Sequence, residues 1–238
     1  MKIQMLTNFL LRQDIDIALL QEVVNTDLSN IYGYSAHINV GTEKRGTAIL
    51  MEEGISVNNI KKLPSGRGIA GLFKDTWLIN VYAPSGAEKR HERENSFTTE
   101  LADFLPTGPR EILLAGGFNC VLSPADCTGV PNLSKALSAT IAGLALHDAW
   151  EQTSKQLQHT HYTNSGATTI DRIYLTDQLQ TRKQGAETII VPFSDHLAVA
   201  VRLTYSHQTN FRKRRLWKMN ISLMDDTSFC DSLVILWC

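Results

Sequence analysis

The chain has 238 residues, 43% of them hydrophobic and 20% charged, which is enough to bury one sizeable core of α/β or all-β type. Its 23 basic and 24 acidic side chains leave a formal charge of -1, excluding a global field that draws the protein onto nucleic acid or membrane, so any polyanion must be met locally. Cys120, Cys127, Cys230 and Cys238 form no CxxC pair and have no histidine at zinc-finger spacing, which argues against a structural zinc site and suits a reducing compartment.

Taken in chain order, "MKIQMLTNFLLRQDIDIALL" has neither a long uncharged apolar run nor a small-residue cleavage site, so no signal peptide or membrane span is expected and an intracellular protein is. Residues 4–13 place Met5, Phe9 and Leu10 on one helical face, and "DIALLQEV" then reads as a short buried strand with Glu22 at its exit. Short strands are predicted at "GYSAHINV", "GTAILME", "ISVNNIKKL", "GIAGLF" and "TWLINVYA", each bounded by Gly, Pro, Asn or charge. Residues 86–105 fit one surface helix, and a second helix starts at Ser134, which can cap "KALSATIAGLAL" before "LHDAW" closes it. Between them lies the strand of "ILLAGGFNC", where an apolar run stops at Gly116 and Gly117 and presents Asn119. Taken alone, such a stretch reads first as an ordinary tight turn, with a strand end built to hold a ligand as the alternative. "HTHYTNS", "TTIDRIYL", "ETIIVPF" and "LAVAVRLTY" complete the strands. Clustered strands with a few interposed helices predict an α/β four-layer sandwich of two packed mixed sheets flanked by helices, over residues 1–205. From residue 206 the composition turns polar and then basic, as in a linker leaving the domain.

The polar residues that end apolar strands are Glu22, Tyr82 in "NVYAPSG", Asn119, Asp171 inside "TTIDRIYL", and Asp195 and His196 before "LAVAV". Taken singly, each has a structural explanation as a strand-end charge or a packed ring. A carboxylate inside an apolar strand needs a partner, so Asp171 is expected to have one. Together, Glu, Asn, Asp, Tyr and His at strand ends suit hard-metal phosphate chemistry.

"LLQEV", "NVYAPSG", "LLAGGFNC", "TTIDRIYL" and "FSDHLAVAV" occur in the order and approximate spacing of the endonuclease/exonuclease/phosphatase superfamily, which includes deoxyribonuclease I and the apurinic endonucleases. Within it the chain resembles the endonuclease domain of a LINE-type non-LTR retrotransposon polyprotein, on "RGTAIL", "LHDAW" and "HTHYTNSGATTIDRIYL". "LWKMNISLMDD" resembles the link toward a reverse transcriptase. The resemblance implies a deoxyribonuclease I-like fold and Mg²⁺-dependent nicking of DNA, with Mn²⁺ as a substitute ion. It also implies DNA and the element's own RNA as partners, no membrane, and a nuclear location. By it Glu22 is the metal ligand, His196 faces the scissile phosphate, Asp171 orients His196, and Asp195 is a second carboxylate near the metal or the imidazole. Tyr82 and Asn119 hold phosphate oxygens or the attacking water.

The chain departs from the family pattern in three places. Gly-Asp-Phe-Asn is here Gly116-Gly117-Phe118-Asn119, so Gly117 replaces the acid that positions or deprotonates the water. The family's first core strand, which carries an Asn, does not precede the helix at residue 4. Thr168 and Thr169 stand where a Ser-Arg pair usually precedes Ile-Asp, at a substrate contact. The expectation is therefore a nuclease with an impaired site. A nucleic-acid-binding relic without chemistry, a phosphoesterase of the same superfamily and a product without any role stand as rivals. The basic tail "FRKRRLWK" reads as a solvated linker or as a grip on a nucleic-acid backbone.

Overall fold

The computed structural model describes residues 2–24, 28, 31–41, 46–106, 110–150, 158–164 and 166–205, so the expectations for the tail from residue 206 lie outside the described residues. The centre is a six-stranded mixed sheet. It contains β4 (Asn58–Lys62), β5 (Gly68–Phe73), β6 (Thr76–Tyr82), β7 (Glu111–Gly117), β11 (Asp171–Leu175) and β8 (His147–Asp148). Their order in space is β4-β5-β6-β7-β11-β8. Only β6 and β7 run parallel, with α2 (Arg90–Thr98) and α3 (Glu100–Phe104) in the crossover between them.

Alternation along β7 explains the layers, because successive side chains point to opposite faces of a sheet. Ile112 and Leu114 face a core made with Ile79, Val81 and Tyr174, against Phe97 and Leu101 of α2 and α3 and Leu137 and Ile141 of α4 (Lys135–Gly143). Leu113 and Ala115 face the other way, into a core shared with Leu78, Ile173 and Leu175. That second core is closed by β3 (Gly46–Glu52), through Ile49 and Met51, and by the hairpin of β12 (Lys183–Ile190) and β13 (Leu197–Leu203), through Ala186, Val199 and Val201. β3 is the middle of an antiparallel sheet, β1-β3-β2, with β1 at Ile17–Leu20 and β2 at Tyr34–Val40. Outside it lies α1 (Lys2–Gln13), whose Leu10 packs against Ala48, Leu50 and Tyr34. The result is helix, sheet, sheet, helix, as the sequence predicts. Among the described residues β1 pairs only with β3, and β13 only with β12.

Local chemistry fixes most boundaries. Ser134 accepts a hydrogen bond from the amide of Leu137 at 3.0 Å, the expected cap of α4. The single helix expected over residues 86–105 is instead two. The break falls at Thr99, whose φ of -114° and ψ of -70° depart from helix geometry, next to two hydroxyls, of Thr98 and Thr99, that bond back to Asn95 O at 3.1 and 2.8 Å and favour a bend there. The short helix α5 (Asp177–Arg182) and the small antiparallel hairpin of β9 (His161–Thr163) and β10 (Gly166–Thr168) complete the described α-helices and strands. Among the described residues no helix is long and apolar enough to cross a membrane.

Candidate active site

The parallel pair β6 and β7 and the antiparallel neighbour β11 end in step. Tyr82 is opposite Gly117 and Asp171 is opposite Gly117, so three adjacent strands put a phenol, a glycine and a carboxylate in one row. Side chains paired across strands share a face, so whatever stands at 117 lies between the other two. A β-carbon built at Gly117 would be 3.4 Å from Asp171 Oδ1 and 3.7 Å from Tyr82 Cδ2, ordinary contact distances. Gly116 is different. Its φ is 149°, and a β-carbon there would lie 1.9 Å from Val81 O, so only glycine lets the two strands approach.

At one end of this row Tyr82 Oη donates to Glu22 Oε1 at 2.6 Å. Glu22 adopts a left-handed backbone, φ 55°, a conformation that costs a non-glycine residue about 1–3 kcal/mol and persists only when its surroundings enforce it. Its neighbours do so. Val23 N bonds to Gly46 O at 2.9 Å, and Gln21 Nε2 donates to Oδ1 of the buried Asn80 at 2.6 Å. Asn80 Nδ2 in turn donates to Leu20 O and Ala48 O, tying the end of β1 to the central sheet. The guanidinium of Arg67 lies 5.4 Å over the Tyr82 ring.

At the other end His196 Nδ1 lies 2.8 Å from Asp171 Oδ2, so the expected pair forms. The same oxygen accepts the hydroxyl proton of Thr160 at 2.7 Å, and Thr160 Oγ1 accepts the backbone amide of Asp171 at 3.2 Å. Both partners use Oδ2, leaving Oδ1 facing the space above Gly117. The Asp171 hydrogen bond raises the pKa of His196 above its ordinary value near 6.5, burial opposes the rise, and the charges of Asp171, Asp195 and Glu22 add to it. The imidazole therefore feels the Glu22 carboxylate as well as its own partner, and one electrostatic site spans the row.

The remaining predicted residues flank this line. Asn119 has φ 52°, and its side chain donates to Ala83 O at 2.7 Å, locking the loop after Gly117 against the end of β6. Asp195 is exposed, with Oδ2 3.9 Å from His161 Nε2. Thr168 pairs with His161 in the small hairpin, at its junction with Cys127. Thr169 is buried, and its hydroxyl meets His159 Nδ1 at 3.1 Å.

Three features escape the sequence reading. Thr160 supports Asp171, and His161 lies against His196 with ring centroids 4.4 Å apart. Arg172, next to Asp171 and directed to the opposite face, sits between two carboxylates, Asp126 and Asp148. Asp126 also accepts the amides of Leu122 and Ser123, and Asp148 that of Trp150, so Arg172 anchors both the loop after Asn119 and the "LHDAW" turn. The alternating dipeptide thus divides its work: Asp171 faces the site and Arg172 fastens its walls.

Carboxylates, an amide and a phenol are hard oxygen donors, and an imidazole held by a carboxylate completes a set suited to phosphate esters. Residues 2–196 match the sequence profile of the Endonuclease/Exonuclease/phosphatase family. The chain belongs to that family. It therefore joins a group named for nucleases and phosphatases, enzymes of phosphoester cleavage. A Xenopus laevis protein described as "Transposon TX1 uncharacterized 149 kDa protein" is 29% identical over 171 residues, which cover 67% of this chain and 12% of that protein. The chain thus spans a small part of the relative it matches. Among solved structures, an AP endonuclease from Archaeoglobus fulgidus superposes with a TM-score of 0.72 at 16% identity, covering 85% of this chain and 94% of that one. A 3′-5′ exonuclease from Neisseria meningitidis gives 0.69 at 18% identity, covering 86% and 96%. These likenesses show the deoxyribonuclease I-like fold.

Proposed function

We propose that this family member is a retrotransposon-derived DNA endonuclease domain whose reaction is the hydrolysis of one phosphodiester bond, slowed by the glycine at 117. The observation that carries the reading is the row Glu22–Tyr82–Gly117–Asp171–His196, two hydrogen-bonded pairs separated by one empty side-chain position. Glu22 offers carboxylate oxygens that suit Mg²⁺ or Mn²⁺, and such an ion when bound supplies positive charge to a phosphate in its transition state, while Asp195 adds negative charge beside the imidazole.

The chain's own groups do the rest. Asp171 accepts from Nδ1 of His196 and fixes the ring, so that Nε2 turns outward toward a phosphate oxygen. The raised pKa keeps the ring cationic further toward neutrality, where it stabilises developing negative charge. Tyr82 holds the Glu22 carboxylate in place. Position 117 offers no base to the attacking water, and the acid bordering that space is Asp171, through Oδ1. Asp171 already serves His196 and Thr160 through its other oxygen, so it is a weak substitute. The likeness to a transposon protein and to an AP endonuclease supports DNA as the substrate, and the element's own RNA is proposed as a second partner.

The test is nicking of supercoiled plasmid in Mg²⁺, with calorimetric Mg²⁺ binding on the same sample. Glu22→Gln should abolish cleavage and weaken Mg²⁺ binding; unchanged affinity would remove Glu22 from the metal. A second reading, DNA binding without chemistry, draws on Gly117. It predicts retention of DNA in EDTA with no nicking by the parent or by any repaired variant.

A further inference from the structure

The side chains of His161, Asp195 and His196 converge at the edge of the row, where one ligand atom from each lies within 4.8 Å of the other two. From this convergence we propose a binding site for a borderline divalent cation, with Zn²⁺ as its natural probe, distinct from the oxygen-rich position at Glu22.

Three observations carry it. First, the backbone sets the two imidazoles side by side. His161 and His196 form an antiparallel bridge, Leu197 N bonds to Thr160 O at 2.7 Å, and the rings stand 4.4 Å apart and tilted by 32°. Second, Asp171 takes Nδ1–H of His196, so that in the neutral ring, which a metal binds in competition with the proton, Nε2 is the lone-pair nitrogen, the carboxylate–histidine arrangement that orients metal-bound imidazoles elsewhere. Third, the donors are two nitrogens and one carboxylate. Zinc accepts that mixture at about 2.0–2.2 Å in tetrahedral geometry, whereas magnesium prefers oxygen alone. Tetrahedral coordination at such lengths needs donors about 3.4 Å apart. The 3.9 Å from His161 Nε2 to Asp195 Oδ2 closes to that value by a small rotation of the exposed Asp195, and rotation of the imidazoles adjusts the remaining separations, which lie within 4.8 Å. A fourth position is left for water or a phosphate oxygen.

An ion held there takes the nitrogen of His196 that faces the phosphate, so zinc should silence the reaction. That consequence rests on the phosphodiester reading, but the site itself does not, and its test measures binding alone. Zinc is titrated calorimetrically into the reduced, metal-free full chain, and Co²⁺ is titrated in parallel with visible absorption as the readout. His161→Asn and Asp195→Asn should each weaken zinc binding by about tenfold or more, with loss of the Co²⁺ d–d bands, while Glu22→Gln stays within about twofold of the parent. Cysteines contribute equally to all four proteins and drop out of the comparison. If thermal melting shows His161→Asn to be unfolded, Asp195→Asn carries the test. Equal affinity in the parent and both site variants would overturn the proposal, as would a loss confined to Glu22→Gln.

Discussion

Replacing Gly117 with aspartate tests the proposed defect directly. The backbone at 117 is free of positive φ, and a β-carbon there meets Asp171 Oδ1 at 3.4 Å and Tyr82 Cδ2 at 3.7 Å, so the side chain enters without a clash. Its carboxylate would lie about 5 Å from that of Asp171, and at an effective dielectric near 20 the repulsion is about 3 kcal/mol. Solvent at the sheet end reduces this, so the variant should lose about 1–3 kcal/mol in EDTA, a fall of about 2–12 °C in Tm for a domain of this size. A divalent cation offsets the repulsion, and Mg²⁺ should therefore raise the Tm of the variant more than that of the parent. A positioned base contributes about 10²–10⁴-fold, so nicking of supercoiled plasmid should rise toward that range. Gly116→Ala is the matched control, since a β-carbon 1.9 Å from Val81 O should unfold the sheet end rather than alter chemistry. Equal nicking rates for parent and Gly117→Asp in Mg²⁺ would refute the account of the defect. An unchanged Tm in EDTA would show that the new carboxylate does not face Asp171.

Two further outcomes follow from the same geometry. The folded-state pKa of His196 is raised by its hydrogen bond to Asp171, so the pair contributes stability that is complete below about pH 6.5 and is lost as pH rises through the raised value. Thermal melts of the parent and His196→Gln in EDTA, from about pH 5.5 to about pH 9, should show a stability gap that narrows upward; a gap that widens with pH contradicts the pairing. Arg172→Met leaves Asp126 and Asp148 facing each other without their cation, which should cost about 3–5 kcal/mol in urea unfolding, and a loss below about 1 kcal/mol would mean that the carboxylates find other partners.

Much of this architecture is legible along the chain. The strand of "ILLAGGFNC" announces itself by a run of apolar residues, Ser134 by its place before a helical period, and the five strand-end motifs by their order. The pairing of Asp171 with His196 then follows from the family's pattern, whereas the hydrogen bond from Tyr82 to Glu22 is seen only in the structure. What stays hidden depends on register between distant strands. His161 and His196 are brought together by an antiparallel bridge, and no local period records it. Thr160 reads as one more strand residue until its hydroxyl is seen to meet Asp171. Arg172 reads as a strand-face cation, because Asp126 comes from a three-residue 3₁₀ turn and Asp148 from a two-residue strand, both too short to show a period. The short α5 offers too few apolar positions for a helical period.

The two adjacent glycines also differ in what selection can see. Any side chain at 116 collides with Val81 and reports itself at once as misfolded protein, so copies carrying one are removed whether or not the domain acts on anything. At 117 there is room for a side chain within the strand pairing, so on the proposed reading a change there alters chemistry alone, and a lineage released from the need to cut can drift there silently while still making folded protein. Across sister copies of this gene, position 116 should be fixed and position 117 varied wherever cutting is no longer required. A carboxylate found at 117 in some copies would then separate the lineages still under selection for activity from those coasting on fold alone.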